Sequence, residues 1–449
     1  MLSLFVAGLL LGSCSQAVAQ DLTSAQISIV SERLAQGAVH SWEFGTRAEA
    51  LLELNAPTYS VVSFNPVPPP QSIPSNLTDA LGEVFAIARG IVAGRNLSNG
   101  NITGPQPLIN DSSAGDPASI GVSVLLANWT GQGAADGLDY AGAARDQLDY
   151  LFQNVSKTSD GAISHRVDQL QLWSDSVYMV PPFLAYYGVL TQNQTLLNES
   201  YTQISLYRKY LRDTTANNLW KHIQLGQTGN DDGHWSTGNA WAAAGMIRVL
   251  GTIQRSQYAD SFKSQQNDLA NWVHEIHGAM YPHINSNGLF YNYADNSTTF
   301  YDSSSAALMA STVYRLSLLC NIHTYLSLAE QSRKALSAPA GTIISVTNTS
   351  TTPVPSTTST APPATNTSTP GLLHITPDGW LTPVVNPYSY GAQGSDSPEG
   401  QAFILEMQAT WRDWVTDGAQ GTNSAHEARP HVLLIGAMVA LPWLTIVIC

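Results

Sequence analysis

The sequence predicts an all-α fold, an (α/α)6 barrel in which six helical hairpins close into a toroid. Six stretches repeat one plan: a polar loop punctuated by Gly or Pro, carrying an acid or a Trp, followed at once by an apolar helix. The loops read SWE (Ser41 to Glu43), NDSSAGDP (Asn110 to Pro117), LWSD (Leu172 to Asp175), NDDGHWSTGNAW (Asn230 to Trp241), FYDSS (Phe300 to Ser304) and GSDSPEGQ (Gly394 to Gln401). One further helical segment lies between each pair, giving about twelve helices at a period of roughly 55 to 75 residues. In such a ring alternate helices form the inner wall and the loops leading into them converge at one end. Functional side chains are therefore expected from several distant segments.

Apolar periodicity places the individual helices. Residues 77–94, 137–154, 196–213 and 259–278 carry polar faces and suit the outer ring. Residues 117–129, 176–190, 236–253 and 304–319 are rich in small residues and nearly uncharged, which suits a crowded inner ring. Pro181 and Pro182 are expected in the first turns of their helix, where missing N–H groups matter least. Residues 339–370 are rich in Ser, Thr and Pro and cannot pack a core. Removing them restores the loop spacing, so they read as an O-glycosylated, disordered insertion in the last hairpin of a barrel spanning 24–416. The final helix is expected at 398–416.

A length of 449 residues suits one large helical toroid. Hydrophobic content of 43% with only 12% charge supplies a large core, and 19 basic against 33 acidic side chains argue against a nucleic-acid partner. Residues 1–19 end in Ala17-Val18-Ala19 and read as a signal peptide, although no Lys or Arg precedes the apolar stretch. Eleven N-x-Ser/Thr sequons, from Asn76 to Asn366, fit secretion. With Cys14 in the leader and Cys449 in the tail, Cys320 stands alone, so there is no disulfide framework and Cys320 is expected to be a buried structural thiol. Residues 417–431 offer small residues and a polar spacer, and 432–449 form an apolar tail with no basic flank, the pattern of a GPI-attachment signal. A spanning helix is the alternative. The protein is expected as a monomer at the cell surface or in the cell wall, held to the membrane through the GPI anchor or the tail.

Asp175 stands before an inner helix, beside Trp173. It is a helix cap or a site acid, and its Trp favours the second, because a pyranose packs its C–H face on a ring while its hydroxyls need acceptors. The densest polar and aromatic cluster runs from Asn230 to Trp241. Its adjacent Asp231 and Asp232 are either a catalytic carboxylate pair or a capped turn with one solvated acid. His222 and His234 are either site groups or satisfied loop histidines. His165, His222, His234 and His283 lack metal-ligand spacing, so neither a metal nor another cofactor is expected.

LWSDSVYMVPPFLAYYGVL resembles the motif around the catalytic Asp of unsaturated rhamnogalacturonyl hydrolases, glycoside hydrolase family 105, and of the related unsaturated glucuronyl hydrolases of family 88. GHWSTGNAWAAAGMIRVL is similar to that group's W-x-R-G-N-x-W segment, and LWKHI to its substrate-contacting Trp-x-x-His stretch. SWEFGTRAEALLE and SPEGQAF resemble segments of fungal secreted six-hairpin glycosidase-like proteins. The resemblance implies a hydrolase acting on plant or cell-wall polysaccharide fragments, with Asp175 as general acid/base and Asp116 as a second acid orienting substrate or water. Asp175 would protonate C4 of a 4,5-unsaturated uronyl sugar and help water add at C5. Desolvation beside Trp173 and Tyr178 would raise its pKa. Trp173, His222, His234, Trp235, Thr237, Asn239 and Trp241 would line the sugar site. Thr237 stands where the family has an Arg that pairs with the uronate carboxylate, so Arg166, His165 or Lys221 replaces that clamp or the substrate is not an unsaturated uronide. Two other functions fit the same barrel: a GPI-anchored mannanase or transglycosidase resembling family 76, drawing on Asp231 and Asp232, and a non-catalytic glycan-binding wall protein.

Overall fold

The computed structural model describes residues 21–100, 102–342 and 371–422. Twelve helical positions alternate between two concentric rings, as expected for an (α/α)6 barrel. The outer ring is α1 (Ser24–Gly37), α3 (Thr78–Ser98), α7 (Tyr140–Gln153), α9 (Gln194–Leu211), α11 (Lys263–Met280) and α13 (Leu326–Leu336). The inner ring is α2 (Ser41–Asn55), the broken pair α4 (Asp116–Ser119) and α5 (Gly121–Trp129), α8 (Ser176–Leu190), α10 (Ser236–Arg255), α12 (Ser303–Cys320) and α14 (Pro398–Thr416). A short helical turn, α6 (Gly133–Asp136), links α5 to α7. Each inner helix packs on the next, and α14 packs on α2, which closes the ring.

Local sequence explains where these helices begin. Thr23 and Gln26 form a reciprocal capping box on α1. Asp302 accepts from the Ser304 and Ser305 N–H groups ahead of α12, and Ser397 accepts from Gly400 N–H ahead of α14, whose first residue is Pro398. The inner helices α8, α10 and α12 are buried almost all round, which their scarcity of charge permits. Small residues let them approach closely: a Cβ at Gly245 would fall 2.0 Å from the Val177 carbonyl oxygen.

Two expectations are corrected here. Pro181 and Pro182 lie in the second turn of α8 and not in its first. Cys320 ends α12 partly exposed, accepting weakly from Gln254 Nε2 at 3.8 Å, and is not a fully buried thiol.

Buried charges plug the inner ring. Arg248 on α10 pairs with Glu49 (2.6 Å) and Glu53 (2.9 Å) on α2 and with Glu406 (3.0 Å) on α14; Arg315 on α12 adds Glu53 (2.9 Å) and Asp413 (2.7 Å). Arg248 stands twelve residues into α10, or roughly 18 Å along it at about 1.5 Å per residue. The cluster therefore seals the lumen below the end where the inner helices start.

Four two-stranded antiparallel ladders decorate that end. β1 (Leu172–Trp173) pairs with β4 (Ile223–Gln224), β2 (Arg212–Asp213) with β3 (Leu219–Trp220), and β5 (Phe290–Tyr291) with β6 (Tyr301–Asp302). β7 (Val384–Asn386) and β8 (Ser389–Gly394) form a hairpin ahead of α14. Among the described residues no helix is long and apolar enough to cross a membrane. The expected signal peptide, the apolar tail, nearly all of the Ser/Thr/Pro segment and most of the expected anchor region lie outside the described residues.

Candidate active site

A pocket of about 290 Å³ opens where the inner helices begin. The α4 start supplies Asp116, the α8 start Asp175, and the α10 start Trp235 and Trp241. Trp173 enters from β1, His222 from the turn before β4, and His165 with Arg166 from the strand-like segment bridged to Ser113. Six of the nine residues singled out from the sequence thus meet in one cavity.

Asp175 occupies the N-cap position of α8, yet its side chain makes no capping hydrogen bond. It is free for chemistry. Its Oδ2 accepts from Ser174 Oγ at 3.2 Å and faces His222 Nε2 at 3.5 Å. Burial pushes its pKa up, but the neighbouring His222 and His165 outweigh burial and leave it below the ordinary Asp value. That reverses the expectation of a raised pKa at Asp175.

Asp116 takes the opposite course. Burial, followed by the charges of Asp111 and Asp175, holds its carboxyl well above the ordinary value. His165 lies 3.7 Å from it, stacked on Trp173 with ring centroids 4.8 Å apart. Burial keeps His165 neutral, with its pKa down to about 4. The site therefore holds two neighbouring acids whose environments push their proton affinities apart, the usual mark of divided acid and base roles.

Three expected site residues stay out of the pocket. Thr237 is fully buried, and its hydroxyl donates to Asp302 Oδ2 at 2.7 Å in the wall between α10 and α12. Asn239, also fully buried, ties down the backbone by accepting from Trp220 N–H at 2.9 Å and donating to the Trp220 and Trp235 carbonyls. His234 points away to Asp295 (2.7 Å) and Asp213 (3.5 Å). Asp231 and Asp232 also part company. Asp231 turns inward to His222 and Tyr293, while Asp232 is exposed beside Lys221 (3.1 Å).

The pocket gains residues that motif reading did not find. Trp42 is the second residue of α2, steadied by His40 stacked on it with centroids 4.8 Å apart. Asn386, Tyr388 and Tyr390 come from the β7–β8 hairpin, and Tyr390 stands edge-on to His222 at 4.5 Å. Glu399, at the start of α14, is buried; burial and then Glu43 push its pKa up to about 8. The SPEGQAF segment that carries Glu399 was the available signal.

Aromatic rings around paired acids at the mouth of an (α/α)6 barrel define a carbohydrate-active enzyme. Residues 112–351 match the model of Glycosyl Hydrolase Family 88. The chain belongs to that family and is a glycoside hydrolase. Solved structures share its fold. A possible member of family GH105 from Salmonella enterica has a TM-score of 0.61 at 15% identity, covering 92% of this chain and 100% of its own. A family 88 glycosyl hydrolase from Bacteroides vulgatus has a TM-score of 0.57 at 13% identity, covering 88% and 100%. The unsaturated glucuronyl hydrolase of Bacillus sp. GL1 has a TM-score of 0.54 at 13% identity, covering 87% and 96%. No curated protein sequence matches the chain.

Proposed function

We propose that the protein hydrolyses saccharides ending in a 4,5-unsaturated uronyl residue, with Asp116 and Asp175 sharing the acid–base work. The observation that carries this reading is two largely buried acids lining one pocket in different surroundings, Asp175 facing His222 at 3.5 Å and Asp116 facing His165 at 3.7 Å. Burial, then Asp111 and Asp175, hold the Asp116 carboxyl well above its ordinary pKa and so favour its acid form; burial of Asp175 is outweighed chiefly by His222, which favours the carboxylate. Addition of water across a double bond needs both states at once.

This exchanges the roles that the resemblance implied: Asp116, and not Asp175, gives its proton to C4 as the C4=C5 π pair takes it. Water forms the C5–O bond and passes its proton to Asp175. The hemiketal at C5 then opens, and C1 expels the aglycone as an alcohol. A proton shift from Asp175 to Asp116 restores the resting pair.

Of the three substitutes for the family's missing Arg, Arg166 fits best. It lines the pocket and is held by Ser112 at 3.1 Å and Asp168 at 3.3 Å. His165 is neutral, and Lys221 is engaged by Asp232 and Asp213 outside the pocket. Arg166→Ala should raise KM for a uronide with less effect on kcat, the signature of lost ground-state binding. Lys221→Ala should leave KM unchanged. Reversal of these two results would move the clamp to Lys221.

The proposal extends to the setting: a secreted glycoprotein anchored at the surface, acting on fragments of plant or cell-wall polysaccharide, with 24–416 as one barrel interrupted at 339–370. Incubation of the purified protein with unsaturated pectic disaccharides should remove the ultraviolet absorbance of their conjugated double bond. Binding through the Trp241 mouth with no turnover of any unsaturated uronide would overturn the proposed reaction. The mannanase alternative loses its support because Asp231 and Asp232 serve separate partners.

A further inference from the structure

We propose that Asp231, backed by Tyr293, is a positioning residue that fixes the tautomer and charge of His222 and through it the ionisation of Asp175. This rests on the reading of Asp175 as the group that accepts the proton of water.

The backbone sets His222 between the two acids. Ser174 N–H donates to the His222 carbonyl at 2.9 Å, and His222 N–H donates to the Gly233 carbonyl at 3.0 Å. Ile223 and Asp231 exchange both backbone hydrogen bonds, at 2.9 and 3.0 Å. The imidazole then points Nδ1 at Asp231 Oδ2 (3.0 Å) and Nε2 at Asp175 Oδ2 (3.5 Å). Rings close the remaining sides: Trp235 at 4.4 Å, Tyr390 at 4.5 Å and Trp173 at 5.3 Å between centroids. The ring is buried, and among the described residues its Nε2 has no partner nearer than Asp175 Oδ2 at 3.5 Å.

The hydrogen-bond inventory decides the charge. Asp231 Oδ1 accepts from Gly233 N–H at 2.9 Å, and Oδ2 accepts from Tyr293 O–H at 2.6 Å. With Gly233 and Tyr293 donating, the carboxylate is an acceptor toward His222, so Nδ1 must carry hydrogen. An imidazole with Nδ1–H can present a second hydrogen to Asp175 only as the imidazolium. The titratable groups facing His222 are Asp175 from the start of α8, Asp231 and Tyr293 from the loops, Tyr390 from β8 and the neutral His165. Two carboxylates in direct reach of the ring, Asp175 at 3.5 Å and Asp231 at 3.0 Å, favour its charged form against the opposing charge of Arg166, which lines the same pocket. Consistently, the two acids overcome burial and leave the His222 pKa above its ordinary value.

Asp231→Asn tests this without opening a gap. Gly233 N–H still needs the amide oxygen, so the amide NH2 faces Nδ1 and forces it to accept. His222 becomes the neutral Nε2–H tautomer, still donating toward Asp175 but without its charge. The His222 titration followed by NMR should fall below its wild-type midpoint. The acid limb of kcat/KM should move up by about 1–3 pH units, the usual effect of removing an opposite charge within about 4–6 Å. Asp231→Glu, which keeps the charge, should recover part of both shifts. If Asp231→Asn does not fold, Tyr293→Phe reads the same chain from its far end. With one donor lost, Asp231 holds His222 more tightly and the His222 midpoint rises. An unchanged His222 midpoint in Asp231→Asn, or a fall in Tyr293→Phe, would overturn the proposal. The NMR readout needs no substrate. An inactive protein with the expected His222 shifts would sink the hydrolase reading alone, and an active one without them would sink the relay alone.

Discussion

Thr237 and Asp302 are joined by a 2.7 Å hydrogen bond inside the wall between α10 and α12. Asp302 also accepts from the Ser304 hydroxyl and from the Ser304, Ser305 and Val385 N–H groups, so Thr237 completes a buried carboxylate's shell of donors. Thr237→Val removes one donor at nearly constant volume. It should cost about 1–3 kcal/mol of stability, the usual penalty for an unmet buried acceptor, measured by denaturant unfolding. Thr237→Arg should lower stability further without tightening uronate binding. Stronger binding in that variant would mean that position 237 still reaches the carboxylate subsite.

The opposed acids predict an asymmetric pH profile. Asp175 must be ionised, so activity is lost as pH falls through its depressed pKa; Asp116 must be protonated, so activity is lost as pH rises through its elevated one. Asp175→Asn should reduce turnover by roughly 10²–10⁴ while folding is kept, the typical scale for acid–base catalysis. Asp116→Asn should leave a small residual rate with no alkaline limb. Retention of that limb in Asp116→Asn would assign it to Glu399 or another group.

Much of this was legible in the sequence because the polar loops repeat at a regular interval and four of the six precede a nearly uncharged helix. Asp116, Asp175, Trp173, His222, Trp235 and Trp241 converge because toroid closure brings every such loop to one rim. The errors at Thr237 and Asn239 share one physical source. An inner helix is buried on its lumen side and on its wall side alike, so the pattern that places Thr237 and Asn239 near a helix start does not say which side they face. His234 failed differently, since its partner Asp295 comes from the next hairpin and Asp213 from the far end of its own long connection. Tyr388 and Tyr390 were missed because an isolated β-hairpin leaves no trace in a helical period. The Asp175 pKa was misjudged because its sequence neighbours are apolar, whereas His222 reaches it from another loop.

Glu406 makes stability depend on pH. Burial is the largest cause, only partly offset by Arg248, and it lifts the carboxyl from an ordinary 4.5 to about 8. The folded state therefore binds this proton more tightly than the unfolded chain does. The contribution is fully present below about pH 4.5 and is lost as pH rises through about 8. Glu406→Gln keeps an acceptor for Tyr178 (2.9 Å) and Arg248 but removes the titration. The wild-type minus variant difference in unfolding free energy should decline between about pH 4.5 and 8. A flat difference would show that Glu406 is ionised in the fold throughout.

The two ends of the Ser/Thr/Pro segment meet side by side. Ala340 N–H donates to the Gly371 carbonyl at 2.7 Å, and Leu373 N–H donates to the Ala338 carbonyl at 2.8 Å, forming a bridge between Pro339 and Leu372. The barrel thus supplies its own closure, and the intervening residues are proposed to be an insertion that adds nothing to it. Replacing 343–370 by about four Gly and Ser residues shortens the loop by roughly three halvings, each worth about 0.6 kcal/mol of closure entropy. The variant should match or slightly exceed the wild type in stability, by about 1–2 kcal/mol, and should keep the same rate on an unsaturated uronide. A loss of cooperativity in thermal unfolding would instead make the segment part of the core, because a tethered but unpacked loop has no folded contacts to lose.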